Sequence, residues 1–127
     1  MKTKMTDVLM KEIYLMLMKE IRNKNRAIIF CKSLAKALDL QHKIYIDFLE
    51  EEGRIFVSST PLFETSMPFR LFGKKDKICR DKDLIFVLTE IYELNSYNPS
   101  IIFSDIKIDL HNDIPVAIIS MKPDKED

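Results

Sequence analysis

At 127 residues, with 46% apolar and 31% charged residues, the chain is long enough to bury its own core and has the make-up of one soluble globular domain. Two glycines and five prolines exclude a glycine-rich phosphate loop, a repeat array and a long disordered linker. The net charge of zero hides an uneven distribution: ten basic against four acidic residues from Met1 to Lys43, and three against nine from Asp83 to Asp127, a pattern that suits a basic face for an acidic partner.

The first expected element is a helix through "DVLMKEIYLMLMKEIRNK". Thr6 is its N-cap, Asp7 stands near its positive end, and Val8, Leu9, Ile13, Met16, Leu17 and Ile21 recur at helical spacing. The stripe is wide enough to be core, with a dimer seam as the alternative use. "AIIF" (Ala27–Phe30) predicts a short strand. "KSLAKALDL" predicts a short helix capped by Ser33, with Leu34, Ala35, Leu38 and Leu40 inward and Lys32 and Lys36 outward.

The next piece, "QHKIYIDFLEEEGRIFV", supports two conformations. As a helix, it puts Tyr45, Phe48 and Leu49 on one face and ends with Gly53 at C′. As a hairpin over residues 44–59, it alternates Ile44, Ile46 and Phe48 against Tyr45 and Asp47, and Gly53 takes the left-handed turn position. Arg54 to Ser59 is a strand either way. After Pro61 and Pro68, "RLFGKKDKICRDK" reads as a basic loop and "DLIFVLTEIYEL" as a buried helix. "SIIFSDIKIDL" and "IPVAIISM" read as two antiparallel strands joined at "HND", before a frayed tail.

Cys31 and Cys79 belong to no CxxC pair and have no ligand spacing with His42 or His111, so zinc is not expected and both thiols are read as free. The Met-rich run from Val8 to Ile21 is broken by Lys11, Glu12, Lys19 and Glu20, which makes it neither a signal-peptide core nor a membrane span. A cytoplasmic location, no cofactor and no membrane partner are the corresponding expectations.

The segment from Leu15 to Val57 resembles a winged-helix (helix-turn-helix) DNA-binding domain. "LMLMKEIRNK" ends a first helix, "LAKALDL" is similar to the family's LAxxLxL second helix, and "FLEEEGRIFV" is similar to a recognition helix passing into a wing. The resemblance implies that Gln41, His42 and Lys43 read base edges of double-stranded DNA. It also implies that Lys24, Arg26, Lys32, Lys36 and Arg54 grip phosphates. Lys74 and Lys75 of the basic loop would add to that surface, and affinity would fall steeply with salt. The interval from Leu40 to Leu49 shortens the reading helix by about one turn. The expected fold class is therefore α+β: a winged-helix-like part over residues 1–60, the basic loop over 61–82, and a helix plus C-terminal hairpin over 83–122 that packs on it or mediates a homodimer.

Two alternatives use other residues. With a hairpin at 44–59, the order of elements is similar to small protein-binding α+β folds, including type III secretion chaperones. The contact surface would then be Phe63, Met67, Phe69, Leu71 and Phe72, residues that a core beneath a loop would otherwise consume. Separately, "SDIKIDLHNDIPVAIISMK" resembles the hairpin of PD-(D/E)xK nucleases, with Asp105 as first acid, Lys122 as the lysine and Glu90 or Glu93 as a further carboxylate. Ser120 stands where the second metal-binding acid belongs, so a plain amphipathic hairpin is favoured and no catalysis is expected.

Overall fold

The computed structural model describes residues 13–19, 26–94 and 100–123. Their strands are β1 (Leu15–Lys19), β2 (Arg26–Phe30), β3 (Lys43–Leu49), β4 (Arg54–Ser58), β5 (Met67–Arg70), β6 (Lys77–Cys79), β7 (Ser100–Phe103), β8 (Ile106–His111) and β9 (Ile114–Ser120). Two helices accompany them, α1 (Lys32–Ala37) and α2 (Lys82–Ile91). The strands form two sheets, ordered β6-β2-β1-β7 and β5-β3-β4-β9-β8, and every pairing is antiparallel. The α+β expectation with a winged-helix-like start thus gives way to a mainly β architecture.

A strand, β1, stands where a helix was expected. The expected first helix falls partly outside the described residues, including its cap Thr6 and the predicted phosphate ligand Lys24. Within them, Leu15–Lys19 is a strand. It is central in its sheet, with β2 on one side and β7 on the other. Leu15 and Leu17 are buried on one face, and Met16 and Met18 are half-buried on the other. A strand covered on both faces reads as a continuous apolar run, and such a run satisfies a helical stripe as easily as a strand.

Of the two conformations open to the segment after Leu40, the hairpin is the one that forms. The chain is extended after Leu40. β3 pairs with β4 from Tyr45↔Ser58 to Leu49↔Arg54, and a 3-10 turn over Glu50–Glu52 closes on Gly53 at φ 67. This register puts Ile44, Ile46, Ile55 and Val57 into the core, each at 1% exposure or less. Each such burial is worth about 1.5–3 kcal/mol. Helix propensity distinguishes these residues by at most about 0.7 kcal/mol each. Burial of a two-residue alternation therefore outweighs the local preference, and a slip by one position would turn Tyr45 and Asp47 inward. The recognition helix and wing are absent as such.

One hydrophobic cluster joins both sheets and both helices. Leu15, Leu17, Ile28 and Phe30 come from the first sheet, Ile46, Ile55, Val57 and Ile119 from the second, and Leu34, Leu38, Leu84 and Leu88 from the helices. Both helices lie where they are expected, α1 with a different cap from the one expected. α1 begins at Lys32, so Ser33 lies inside it and Cys31 is the N-cap residue. α2 is capped by Asp81, whose carboxylate accepts from Leu84 N at 2.9 Å. The expected single strand through "SIIFSDIKIDL" is two: β7 pairs with β1 in the first sheet, and β8 pairs with β9 in the second. The β8–β9 turn is Asn112–Asp113, at φ 52 and 67, the pair of positive values that a type I′ hairpin needs. Among the described residues no helix is long and apolar enough to cross a membrane.

Candidate anion-binding groove

A concavity of about 290 Å3 lies between α1 and the loop that precedes β6. Lys32 and Lys36 line it from α1. Lys74, Lys75 and Lys77 line it from the loop and the start of β6, and Gln41 and Asp39 also belong to the lining. Two basic stretches separated by some forty positions in the chain thus become the walls of one groove.

Local chemistry explains the arrangement. Lys32 and Lys36 are four apart, so they share one face of α1 while Leu34, Ala35 and Leu38 fill the core. The first turn of α1 has no side-chain cap of its own. Asp76 supplies one from the opposite wall: its carboxylate accepts the Lys32 backbone N–H at 2.8 Å. The opposite wall is held by the bridge Phe72↔Ile78, with Phe72 N donating to Ile78 O at 2.9 Å and Ile78 N to Phe72 O at 2.8 Å. Gly73 makes this turn possible. It sits at φ 99, and a Cβ there would lie 2.3 Å from the Asp76 carbonyl oxygen. Lys77 Nζ donates to Gly73 O at 3.0 Å, which orients that side chain along the loop. The side chains of Lys32, Lys36, Lys74 and Lys75 are exposed.

Just ahead of α1, Tyr14 and Cys31 exchange contacts: Tyr14 N donates to Cys31 Sγ at 3.1 Å and Cys31 N donates to Tyr14 O at 3.2 Å. The Tyr14 hydroxyl is held above its ordinary range by burial first, then by the Asp76 carboxylate and by Cys31. Cys79, on β6, is a free buried thiol pushed up mainly by burial.

The groove collects Lys32, Lys36, Gln41, Lys74 and Lys75 from the residues singled out by sequence. It adds Lys77 and Asp39, which a count of charges in the basic loop and after α1 contains but does not place. Gln41 Nε2 donates to Asp39 Oδ1 at 3.2 Å. Of the other predicted residues, Lys24 lies outside the described residues and the rest do not line the groove. His42 precedes β3, where its carbonyl accepts from Leu71 N at 2.8 Å. Lys43 stands opposite Arg70 at the β3–β5 edge. Arg54 starts β4 opposite Leu49, and Arg26 starts β2 opposite Lys19. An extended backbone cannot project Gln41, His42 and Lys43 together as the first turn of a helix would.

No family model matches the chain, and no curated protein and no solved structure matches it either.

A second concavity, of about 210 Å3, lies on the face of the second sheet that turns away from the core, beside Phe56, Val116 and Ile118. The loop after β4 roofs it. Phe63 stacks on Phe56 with centroids 6.1 Å apart and meets the His111 ring at 5.9 Å. Ser66 Oγ and Thr65 Oγ1 donate to the buried Asp47 carboxylate at 2.6 and 3.2 Å and anchor the roof. Of the five residues proposed as an apolar contact surface, Phe69 and Leu71 are core, while Phe63, Met67 and Phe72 are about half exposed. Asp105, the nuclease-like acid, turns the chain between the sheets, and its carbonyl accepts from Ser120 N at 3.0 Å. Among the described residues no cluster of three or more His, Cys, Asp or Glu could hold a metal.

Proposed function

We propose that the chain is a non-enzymatic protein-docking module whose lysine groove takes an acidic segment of a partner polypeptide. The observation that carries this reading is the convergence of Lys32 and Lys36 with Lys74, Lys75 and Lys77 across one groove of about 290 Å3. A carboxylate about 4 Å from an ammonium gains about 1 kcal/mol in bulk water and about 4 kcal/mol at a partly screened surface. One lysine is thus a weak ligand, and several around one concavity make a site. Phe72, half exposed on the hairpin that carries Lys74 and Lys75, offers an apolar anchor beside the cations. Duplex reading loses its instrument with the extended conformation of β3, which moves the balance from gene regulation to protein binding. The groove is also small and concave, sized for a few side chains rather than for a rigid duplex.

The test is a fluorescence-anisotropy titration of a labelled Asp/Glu-rich peptide carrying one aromatic residue. The expected result is saturable binding that weakens with salt and falls about tenfold or more when Lys36→Glu and Lys75→Glu are combined. Failure to bind at low salt rejects the reading. Tighter binding by a single-stranded oligonucleotide of equal charge transfers the groove to nucleic acid instead.

A further inference from the structure

β8 ends the second sheet, and among the described residues nothing pairs with its outer side. Its last five residues are exposed, including Ile108 at 38% and Leu110 at 66%. An edge with bare apolar side chains is an association hazard unless it is blunted or used. The type I′ turn at Asn112–Asp113 makes His111↔Ile114 the hydrogen-bonded pair next to the loop. By alternation, Lys107, Asp109 and His111 then bond to β9, and Ile106, Ile108 and Leu110 turn their backbone groups to the open edge. The hydrogen bonds agree. Leu110 N finds only its neighbour's side chain, Asp109 Oδ1 at 2.8 Å, and Ile106 N finds Ser104 O at 2.9 Å.

We infer that β8 pairs antiparallel with β8 of a second copy of this chain, about a two-fold axis at Ile108, joining two five-stranded sheets into one. The strand's own charges favour this register over those centred one residue to either side. A two-fold axis normal to the sheet keeps core-facing residues opposite core-facing residues. Centred on Lys107 it sets lysine against lysine, and centred on Asp109 it sets aspartate against aspartate. Centred on Ile108 it sets each Lys107 opposite the other copy's Asp109, on the face away from the core. On the core side it sets Ile106 opposite Leu110 and Ile108 opposite itself. The Lys–Asp pairs fall at non-hydrogen-bonded positions, where cross-strand side chains are closest. Leu110 N moves from its neighbour's carboxylate to the second copy's Ile106 carbonyl, which releases Asp109 to meet Lys107. This surface is separate from the lysine groove, so the proposal stands independently of that groove's ligand.

Sedimentation velocity of the full chain across a wide concentration range tests it, alone and with the surface variants Lys107→Asp and Asp109→Lys. The wild type is expected to show a concentration-dependent monomer–dimer equilibrium. Each single variant is expected to weaken it about tenfold or more, because attraction becomes repulsion at both pairs. Mixing the two single variants restores opposite charges at both pairs, so a heterodimer is expected where neither variant self-associates. Combining both substitutions in one chain is expected to restore the homodimer. A wild type that stays monomeric throughout overturns the proposal. So does a dimer indifferent to both variants, or a mixture of folded variants that fails to associate.

Discussion

The backbone N–H of Lys32 donates to the carboxylate of Asp76 at 2.8 Å, across a sequence separation of 44 residues. This bond ties the first turn of α1 to the loop that carries Lys74 and Lys75, and so sets the spacing of the two lysine walls. Asp76→Ala removes both the cap and the tether. The expected cost is about 0.5–2 kcal/mol by denaturant titration. Charge alone would predict tighter binding of an acidic peptide once an aspartate beside the lysines is gone. The tether predicts weaker binding, and that is the result expected in the anisotropy titration.

The two glycines separate turn geometry from groove geometry. Gly53 sits at φ 67 with nothing within 4 Å of an added Cβ, so Gly53→Ala carries only the left-handed penalty of about 1–2 kcal/mol. Gly73→Ala adds a collision at 2.3 Å with the Asp76 carbonyl. The Gly73 variant is expected to show the larger loss of thermal stability and a loss of peptide affinity, while the Gly53 variant keeps its affinity.

Tyr92 links α2 to the second sheet: its hydroxyl donates to Arg54 O at 2.7 Å. Burial, then the nearby Glu50 carboxylate, pushes this hydroxyl up to about 12, partly offset by a backbone hydrogen bond at Leu49. A raised folded-state value means that the neutral hydroxyl stabilises the fold. That contribution is complete below the ordinary tyrosine value of about 10 and is lost as pH climbs from there towards 12. Ultraviolet titration of phenolate is expected to show a late-ionising tyrosine that Tyr92→Phe removes. The same variant is expected to lose about 0.5–1.5 kcal/mol at neutral pH.

Ser66 is the hinge pin of the roof over the outer sheet face. Its Oγ donates to Asp47 at 2.6 Å and accepts from Leu62 N at 3.1 Å and Phe63 N at 3.0 Å. Ser66→Ala leaves Asp47, only 8% exposed, with one hydroxyl fewer and strips two loop amides of their acceptor. The expected outcome is about 1–3 kcal/mol of destabilisation and faster hydrogen exchange at Leu62 and Phe63, with the lysine groove unaffected.

The elements that could be read from sequence were those whose pattern had one solution. β2 is short and β-prone, α2 is a long apolar run read as a buried helix, and "HND" is a turn cluster between two alternating strands; the Asp81 cap of α2 was not read from the sequence. β1 was illegible because a central strand with both faces covered carries no alternation. Nothing local in "SIIFSDIKIDL" announces that the chain changes sheets at Ser104 and Asp105, since either half could ladder with any neighbour. Residues 41–49 satisfied both periods, and only the partners β4 and β5 settle them. The lysines of the groove were visible as charges, and five of its residues were named. Their meeting was not visible, because it rests on Asp76 reaching Lys32 and on Gly73 permitting the turn. Gln41, His42 and Lys43 were assigned through a recognition helix that does not form, and of the three only Gln41 lines the groove, while Arg26 and Arg54 were assigned as phosphate contacts by the same resemblance.

We propose the lysine groove as the binding surface of this chain. Its most direct measurement is a two-dimensional amide NMR titration of the full chain with the acidic peptide. Shifts are expected to concentrate at Lys32, Lys36, Gln41, Lys74, Lys75 and Lys77, with the strands of the second sheet quiet. Shifts centred instead on Phe56, Phe63 and Ile118, or spread evenly over every exposed lysine, would contradict it.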